Sequence, residues 1–189
     1  MKIVLLESLG ISDEILQSYA EALEKEGHRF TAYERTEDTA RQIEEAKDAD
    51  IIIIANMPLK GEIIKACPDL KYIDVAFTGV DHVDLEAAKG KGIKVSNASG
   101  YSTVAVAELT IAMMLNLLRN VRSVEDACRN GGTKSGLVGS ELEGKTVALF
   151  GTGAIGSRVA ELAHAFGAKI IAYNGFSKKD DTDLITYLP

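Results

Sequence analysis

The run Thr146-Val147-Ala148-Leu149-Phe150-Gly151-Thr152-Gly153-Ala154-Ile155-Gly156 sets three glycines where a short apolar stretch hands over to a helix. That Gly-x-Gly-x-x-Gly spacing can grip a pyrophosphate. The first glycine allows a tight turn, the second lets the phosphates approach the backbone, and the third lets helix and strand pack closely. The opening helical turn then offers N–H groups without intrahelical acceptors and the positive end of a dipole to an anion. On its own the glycine spacing also fits a glycine-rich connection in another α/β domain. The apolar strand Thr146 to Phe150 before it and the apolar helix Ile155 to Phe166 after it favour a bound dinucleotide. No metal chemistry is expected: His28, His82 and His164 are far apart in sequence, and Cys67 and Cys128 stand in no metal-ligand spacing.

Those residues need a scaffold, and composition allows one. The chain has 189 residues, 46% hydrophobic and 26% charged, as a globular protein does. A net charge of −7 argues against nucleic acid as a partner. Two isolated cysteines read as reduced, buried thiols of a cytosolic protein. The apolar start Ile3 to Leu6 is too short for a signal peptide, and Leu109 to Leu118 falls short of the roughly 20 residues of a membrane span. A soluble, cytoplasmic protein without a membrane partner is therefore expected.

Strand and helix signals alternate from the first residues. Ile3 to Leu6, Arg29 to Tyr33, Ile51 to Ala55, Tyr72 to Ala76 and Ile93 to Ser96 read as strands. Between them lie a helix from a Ser12 cap to Gly27, a charged helix Glu37 to Lys47, a short helix stopped by Pro68, and a turn of helix behind Asp84. Alternation of this kind implies α/β architecture, a parallel sheet with helices on both faces. After the turn residues Asn97 to Gly100, a long helix from Thr103 to Asn120 is apolar on nearly every side and is expected to be buried, as such helices often are between domains or subunits. A boundary between two domains is placed near residues 98 to 102.

Several motifs then stand in a familiar order: Gly79-Val80-Asp81-His82-Val83-Asp84, Gly92 to Asn97, Val106-Ala107-Glu108, and Gly139 to Thr146 leading into the glycine turn. In this order they resemble the N-terminal half to two-thirds of a D-isomer-specific 2-hydroxyacid dehydrogenase. The resemblance implies a flavodoxin-like substrate domain over residues 1–100, followed by an incomplete Rossmann domain over 101–189 that binds NAD or NADP. It implies a small 2-keto or 2-hydroxy acid as substrate, with its carboxylate against the backbone N–H groups of Thr78, Gly79 and Val80. Without the resemblance, those three residues would also fit a plain strand-to-helix turn capped by Asp84. Ser102, Thr103 and Val106 match the stretch lining the nicotinamide, though as residues they would also suit a core. Met57 and Pro58 follow a strand where the family also approaches the substrate, and His82 fits a structural role in its loop. The long helix from Thr103 is implied to contribute to a homodimer.

In the glycine turn the resemblance assigns Gly151, Gly153 and Gly156 to the grip, and the N–H groups of Ala154 and Ile155 to the pyrophosphate. Asn174 stands where NAD-selective members carry an acid that binds the ribose hydroxyls and repels a 2′-phosphate. An amide supplies no repulsion, and Ser177, Lys178 and Lys179 could meet a phosphate or simply form a solvated loop. The family's Arg, Glu and His, which polarise the keto group and move the proton, fall beyond Pro189. Without acid–base help, hydride transfer loses roughly 10²- to 10⁴-fold, so the chain is expected to be a truncated, inactive form, or else a non-catalytic cofactor-binding or dimerising module. The nine residues Gly175 to Asp183 are also short for a crossover to a parallel strand, which usually needs about a dozen.

Overall fold

Alternating short strands and helices build two separate parallel sheets in the computed structural model, which describes residues 1–175, 177 and 179–189. Each sheet lies in its own compact unit, Met1–Ser99 and Gly100–Pro189. The first unit runs β1 (Lys2–Leu5), α1 (Asp13–Lys25), β2 (Arg29–Ala32), α2 (Thr39–Ala46), β3 (Ile51–Ile54), α3 (Gly61–Ala66), β4 (Tyr72–Val75), α4 (Leu85–Gly90) and β5 (Lys94–Asn97). Its strand order is β2-β1-β3-β4-β5, all parallel, which is the flavodoxin-like arrangement. The chain steps one way from β1 to β2 and the other way for every later crossover. Because crossovers are right-handed, α1 lies on one face and α2, α3 and α4 on the other.

Side-chain alternation matches that layout. Val4, Leu6, Ile52, Ile54, Ile73 and Val75 form one core with Ala46, Ile63, Ile64 and Ala88 from α2, α3 and α4. Helices thus lie on both faces, as the alternation implies; on the face carrying only α1, Ile51, Ile53 and Tyr72 stay half-buried. Asp38 caps α2 by accepting from the N–H groups of Ala40 and Arg41, and Asp84 caps α4 at Ala87. Ser12 holds the N-cap position of α1, yet its side chain makes no capping bond. Cys67 is buried, and burial pushes its thiol up. Cys128 is exposed, contrary to expectation, because its helix has no buried residue at all.

Asp50 pins the start of β3. It accepts from Lys71 Nζ at 2.5 Å and from the Lys2 N–H at 2.8 Å. The Lys71 ammonium, then that N–H, hold its carboxyl below the ordinary range. A lowered folded-state pKa contributes stability above the unfolded value of about 4, and that stability disappears as pH falls through the folded value. Acid titrations of melting temperature should therefore show Asp50→Asn with a flatter decline below pH 4 than the unsubstituted chain.

The second unit holds α5 (Thr103–Leu118), α6 (Val121–Arg129), β6 (Thr146–Phe150), α7 (Ala154–Ala165), β7 (Lys169–Tyr173) and β8 (Ile185–Tyr187). Its parallel sheet is ordered β6-β7-β8. Despite the short connection from Asn174 to Leu184, β8 does pair in parallel with β7, Ile170 opposite Ile185. Small residues let α5 and α7 approach: Ala107 and Ile111 pack in one core with Val159, Ala160 and Ala163. That is the only buried strip of α5. Leu109, Met113 and Leu117 are exposed, Leu117 by 78%, so within this chain the helix is buried on one side. Among the described residues β6 pairs only with β7, and its last residue, Phe150, is 89% exposed. No single described helix is long and apolar enough to cross a membrane; α5 and α6 together reach the length but are bent by 60°.

Candidate functional site

The turn after β6 is shaped by its glycines. Gly151 has φ +96°, a conformation that side-chain-bearing residues rarely adopt. A Cβ on Gly156 would collide with the Gly151 carbonyl, so α7 packs against the turn only because that atom is missing. A Cβ on Gly153 would meet no protein atom within 4 Å. The space before Gly153 is thus open, and as N-cap of α7 it has no side chain with which to cap the helix. The first N–H accepted inside the helix is that of Ser157, by Gly153 O at 2.9 Å. The N–H groups of Ala154, Ile155 and Gly156 have no acceptor within the helix, the arrangement that suits an anion.

A cavity of about 460 Å³ lies at this turn, lined by Phe150, Gly151, Thr152, Gly153, Tyr173, Asn174, Gly175, Ser177 and Lys179. Thr152, only 2% exposed, is the hub of its polar side. Its N–H donates to Asn174 Oδ1 at 2.8 Å, and its hydroxyl meets Asn174 Nδ2 at 3.0 Å and the Tyr187 hydroxyl at 2.9 Å. Lys179 Nζ donates to Thr152 O at 2.8 Å, and Ser157 Oγ donates to the same carbonyl at 3.1 Å. Three segments, after β6, after β7 and in β8, are tied to one threonine. Tyr187→Phe removes one of these ties; the expected cost is about 1 kcal/mol of stability and a few-fold of dinucleotide affinity, read by melting and by titration.

In the first unit, Thr78, Gly79 and Val80 leave the carboxyl end of β4 as an irregular loop. Asn97, at the end of β5, donates from Nδ2 to Thr78 O at 2.6 Å. The Val83 N–H closes onto Val80 O at 3.0 Å. Leu59 pairs in parallel with Val83, donating to His82 O at 2.9 Å and accepting from the Asp84 N–H at 3.0 Å. Through that bridge the segment holding Met57 and Pro58 is fastened to the one holding Thr78 to Val80. Among the described residues, His82 Nε2 is buried and has no hydrogen-bond partner.

The structure therefore gathers Gly151, Gly153 and Asn174 around one cavity, with Ala154, Ile155 and Gly156 opening the adjoining helix. Ser102 precedes α5 as its N-cap and Val106 lies in its first turns; neither lines that cavity. Lys178 lies outside the described residues. Thr152, Tyr187 and Asn97 were missed by sequence reasoning. Thr152 could have been suspected from its place between two of the motif glycines, whereas the other two act through contacts distant in sequence. No group of three metal-ligating side chains occurs among the described residues.

Two parallel α/β units, the second with a strand–glycine turn–helix built to receive an anion, define the class of protein. The family model of the D-isomer-specific 2-hydroxyacid dehydrogenase catalytic domain matches residues 4–179. The chain belongs to the D-isomer-specific 2-hydroxyacid dehydrogenase family. It is 34% identical over 172 residues to D-3-phosphoglycerate dehydrogenase of Methanocaldococcus jannaschii, covering 90% of this chain and 32% of that protein. It is 41% identical over 139 residues to hydroxypyruvate reductase of Thermotoga maritima, covering 72% and 45%. Among solved structures, the NAD complex of an NAD-dependent formate dehydrogenase from Staphylococcus aureus superposes with a TM-score of 0.87 at 30% identity, over all of this chain and 60% of that one. The chain thus spans less than two thirds of each of these relatives, 32%, 45% and 60% of their lengths.

Proposed function

We propose that this chain carries the cofactor grip and the carboxylate grip of an NAD(P)-dependent oxidoreductase interconverting a small 2-keto acid and its D-2-hydroxy acid by hydride transfer. Residues 1–100 serve as the substrate domain and 101–189 as the cofactor domain. The observation that carries this reading is the glycine turn: open space before Gly153, and an uncapped α7 whose first N–H groups await an acceptor. Ala154 and Ile155 hold the pyrophosphate, and Thr152 and Asn174 fix the turn beside it. When bound, the nicotinamide supplies or accepts the hydride. Thr78, Gly79 and Val80 orient the acid by its carboxylate, while Ser102 and Val106 border the nicotinamide.

Both NAD and NADP are accepted in this reading. Asn174 carries no charge to repel a 2′-phosphate, and the Lys179 ammonium lines the same cavity. The exposed strip Leu109, Met113 and Leu117 on α5 supports a homodimer, since apolar exposure of this kind usually marks an association surface. The protein works in the cytoplasm.

The 189-residue chain by itself binds without turning over. Among the described residues, neither a histidine nor an arginine lines the cavity at the turn, and the Lys179 ammonium found there is engaged by Thr152. The same observation favours the second reading, a cofactor-binding or dimerising module without catalysis. Mixing the chain with NADH or NADPH and glyoxylate, hydroxypyruvate or pyruvate tests both. Cofactor binding with oxidation below about a hundredth of a competent enzyme's rate is the expected result. Rapid oxidation contradicts the inactivity, and absence of any cofactor binding contradicts the whole reading.

A further inference from the structure

The carboxyl end of β1 holds a buried charge that hydride transfer does not use. Glu7 is 3% exposed and accepts from the N–H groups of Ala55 at 2.8 Å and Met57 at 2.6 Å. Its other oxygen faces Arg35 Nη1 at 3.2 Å, and the same nitrogen donates to Asn56 Oδ1 at 2.7 Å. This cluster lies where the strand order reverses, between β1 and β3, the place at which open α/β sheets bind ligands. The Arg35 side chain comes from the segment after β2 and is 47% exposed. Both of its bonds leave from Nη1, so the Nη2–Nε edge of the guanidinium is not spent on them. An arginine held at one nitrogen with its other edge towards water is a preorganised fork for a carboxylate or phosphate.

The fork is within a short molecule's length of the carboxylate grip. The Ala76 N–H donates to Ile54 O at 2.7 Å, so the segments Ala55–Met57 and Phe77–Val80 leave neighbouring strands side by side. Neighbouring strands are about 5 Å apart, and Arg35 reaches Asn56 from the far side of β1. The separation from Arg35 to Thr78–Val80 is on the order of 10 Å on that spacing, which suits the two ends of an acid of three to five carbons.

We infer that Arg35, held by Glu7 and Asn56, is a specificity-determining residue that reads a second anionic group at the far end of the substrate. The substrate class is then a short 2-keto or 2-hydroxy acid ending in a carboxylate or phosphate. The inference rests on the proposal that Thr78 to Val80 hold the first carboxylate.

Amide NMR titrations of the 189-residue chain with D-lactate, D-malate and D-3-phosphoglycerate separate the two. All three acids should shift the Thr78, Gly79 and Val80 signals. At least one of the two longer acids should bind about tenfold or more tighter than D-lactate, the usual worth of a charge-assisted bond; which one does identifies carboxylate or phosphate. On a chain of net charge −7, an extra negative charge on the ligand would otherwise weaken binding. Arg35→Met should bring that acid down to the affinity of D-lactate, and Arg35→Lys, which keeps a cation beside Glu7, should regain only part. Equal affinities for all three acids, or an Arg35→Met variant that weakens all of them alike, overturn the inference and leave the grip standing. Failure of D-lactate to move Thr78 to Val80 overturns the grip and the inference together.

Discussion

Gly156→Ala is expected to cost the second unit about 3 kcal/mol, the upper end of what a forced extra methyl costs in a packed site. For a unit of this size that is a fall in Tm of roughly 10–20 °C. The neighbour the new methyl would strike is the Gly151 carbonyl, backbone rather than a flexible side-chain tip, so the strain cannot be relieved by a rotamer change. Gly151 is itself fixed in a positive-φ turn at the end of β6. Either α7 must lift from the turn or the turn must open, and in both cases the N–H groups of Ala154 and Ile155 lose their placement. Gly153→Ala should behave in the opposite way. Its methyl meets no protein atom, so the Tm should hold, while the dissociation constant for NADH or NADPH should rise about tenfold to a hundredfold. Calorimetry and cofactor titration on the two variants check the pair. Equal losses of stability would mean that the glycines serve packing alone.

Glu7→Ala should destabilise the first unit by about 3 kcal/mol, with the second unit's transition unchanged. The magnitude follows from what is left behind. The N–H groups of Ala55 and Met57 lose their acceptor, and an unsatisfied buried donor costs roughly 1–3 kcal/mol. Arg35 adds less, because its half-exposed guanidinium can turn to water. Glu7→Gln, which keeps an acceptor oxygen in the same place, should recover much of the loss. Denaturant melts of the three chains decide this, and a Glu7→Ala chain as stable as the original would remove Glu7 from the account.

Much of the fold was legible because its signals are local. Runs such as Ile51 to Ile54, four residues long and bounded by turn chemistry, can hardly be anything but strands of a covered parallel sheet. The glycine turn declared itself through residues adjacent in the chain. What stayed hidden depends on distance. A glutamate directly after an apolar strand looks like the solvent-facing end of that strand. Only the position of Ala55 and Met57, some fifty residues on, makes Glu7 a buried acceptor. Tyr187 joins the turn only because β8 pairs with β7, a pairing the short connection argued against. For α5, sequence correctly reports apolar residues on every side, but periodicity cannot say whether the surface opposite Leu109, Met113 and Leu117 comes from the same chain. Cys128 was misjudged for a related reason: a cysteine's usual burial is no guide on a helix without a buried face.

The central claim is that the start of α7 holds a dinucleotide by its pyrophosphate. Following backbone amide signals of the 189-residue chain during titration with NADH and NADPH tests it most directly. The account predicts saturable shifts largest at Ala154 and Ile155, accompanied by Thr152 and Asn174. Binding that saturates without moving Ala154 and Ile155, or no binding by a folded chain, would contradict it.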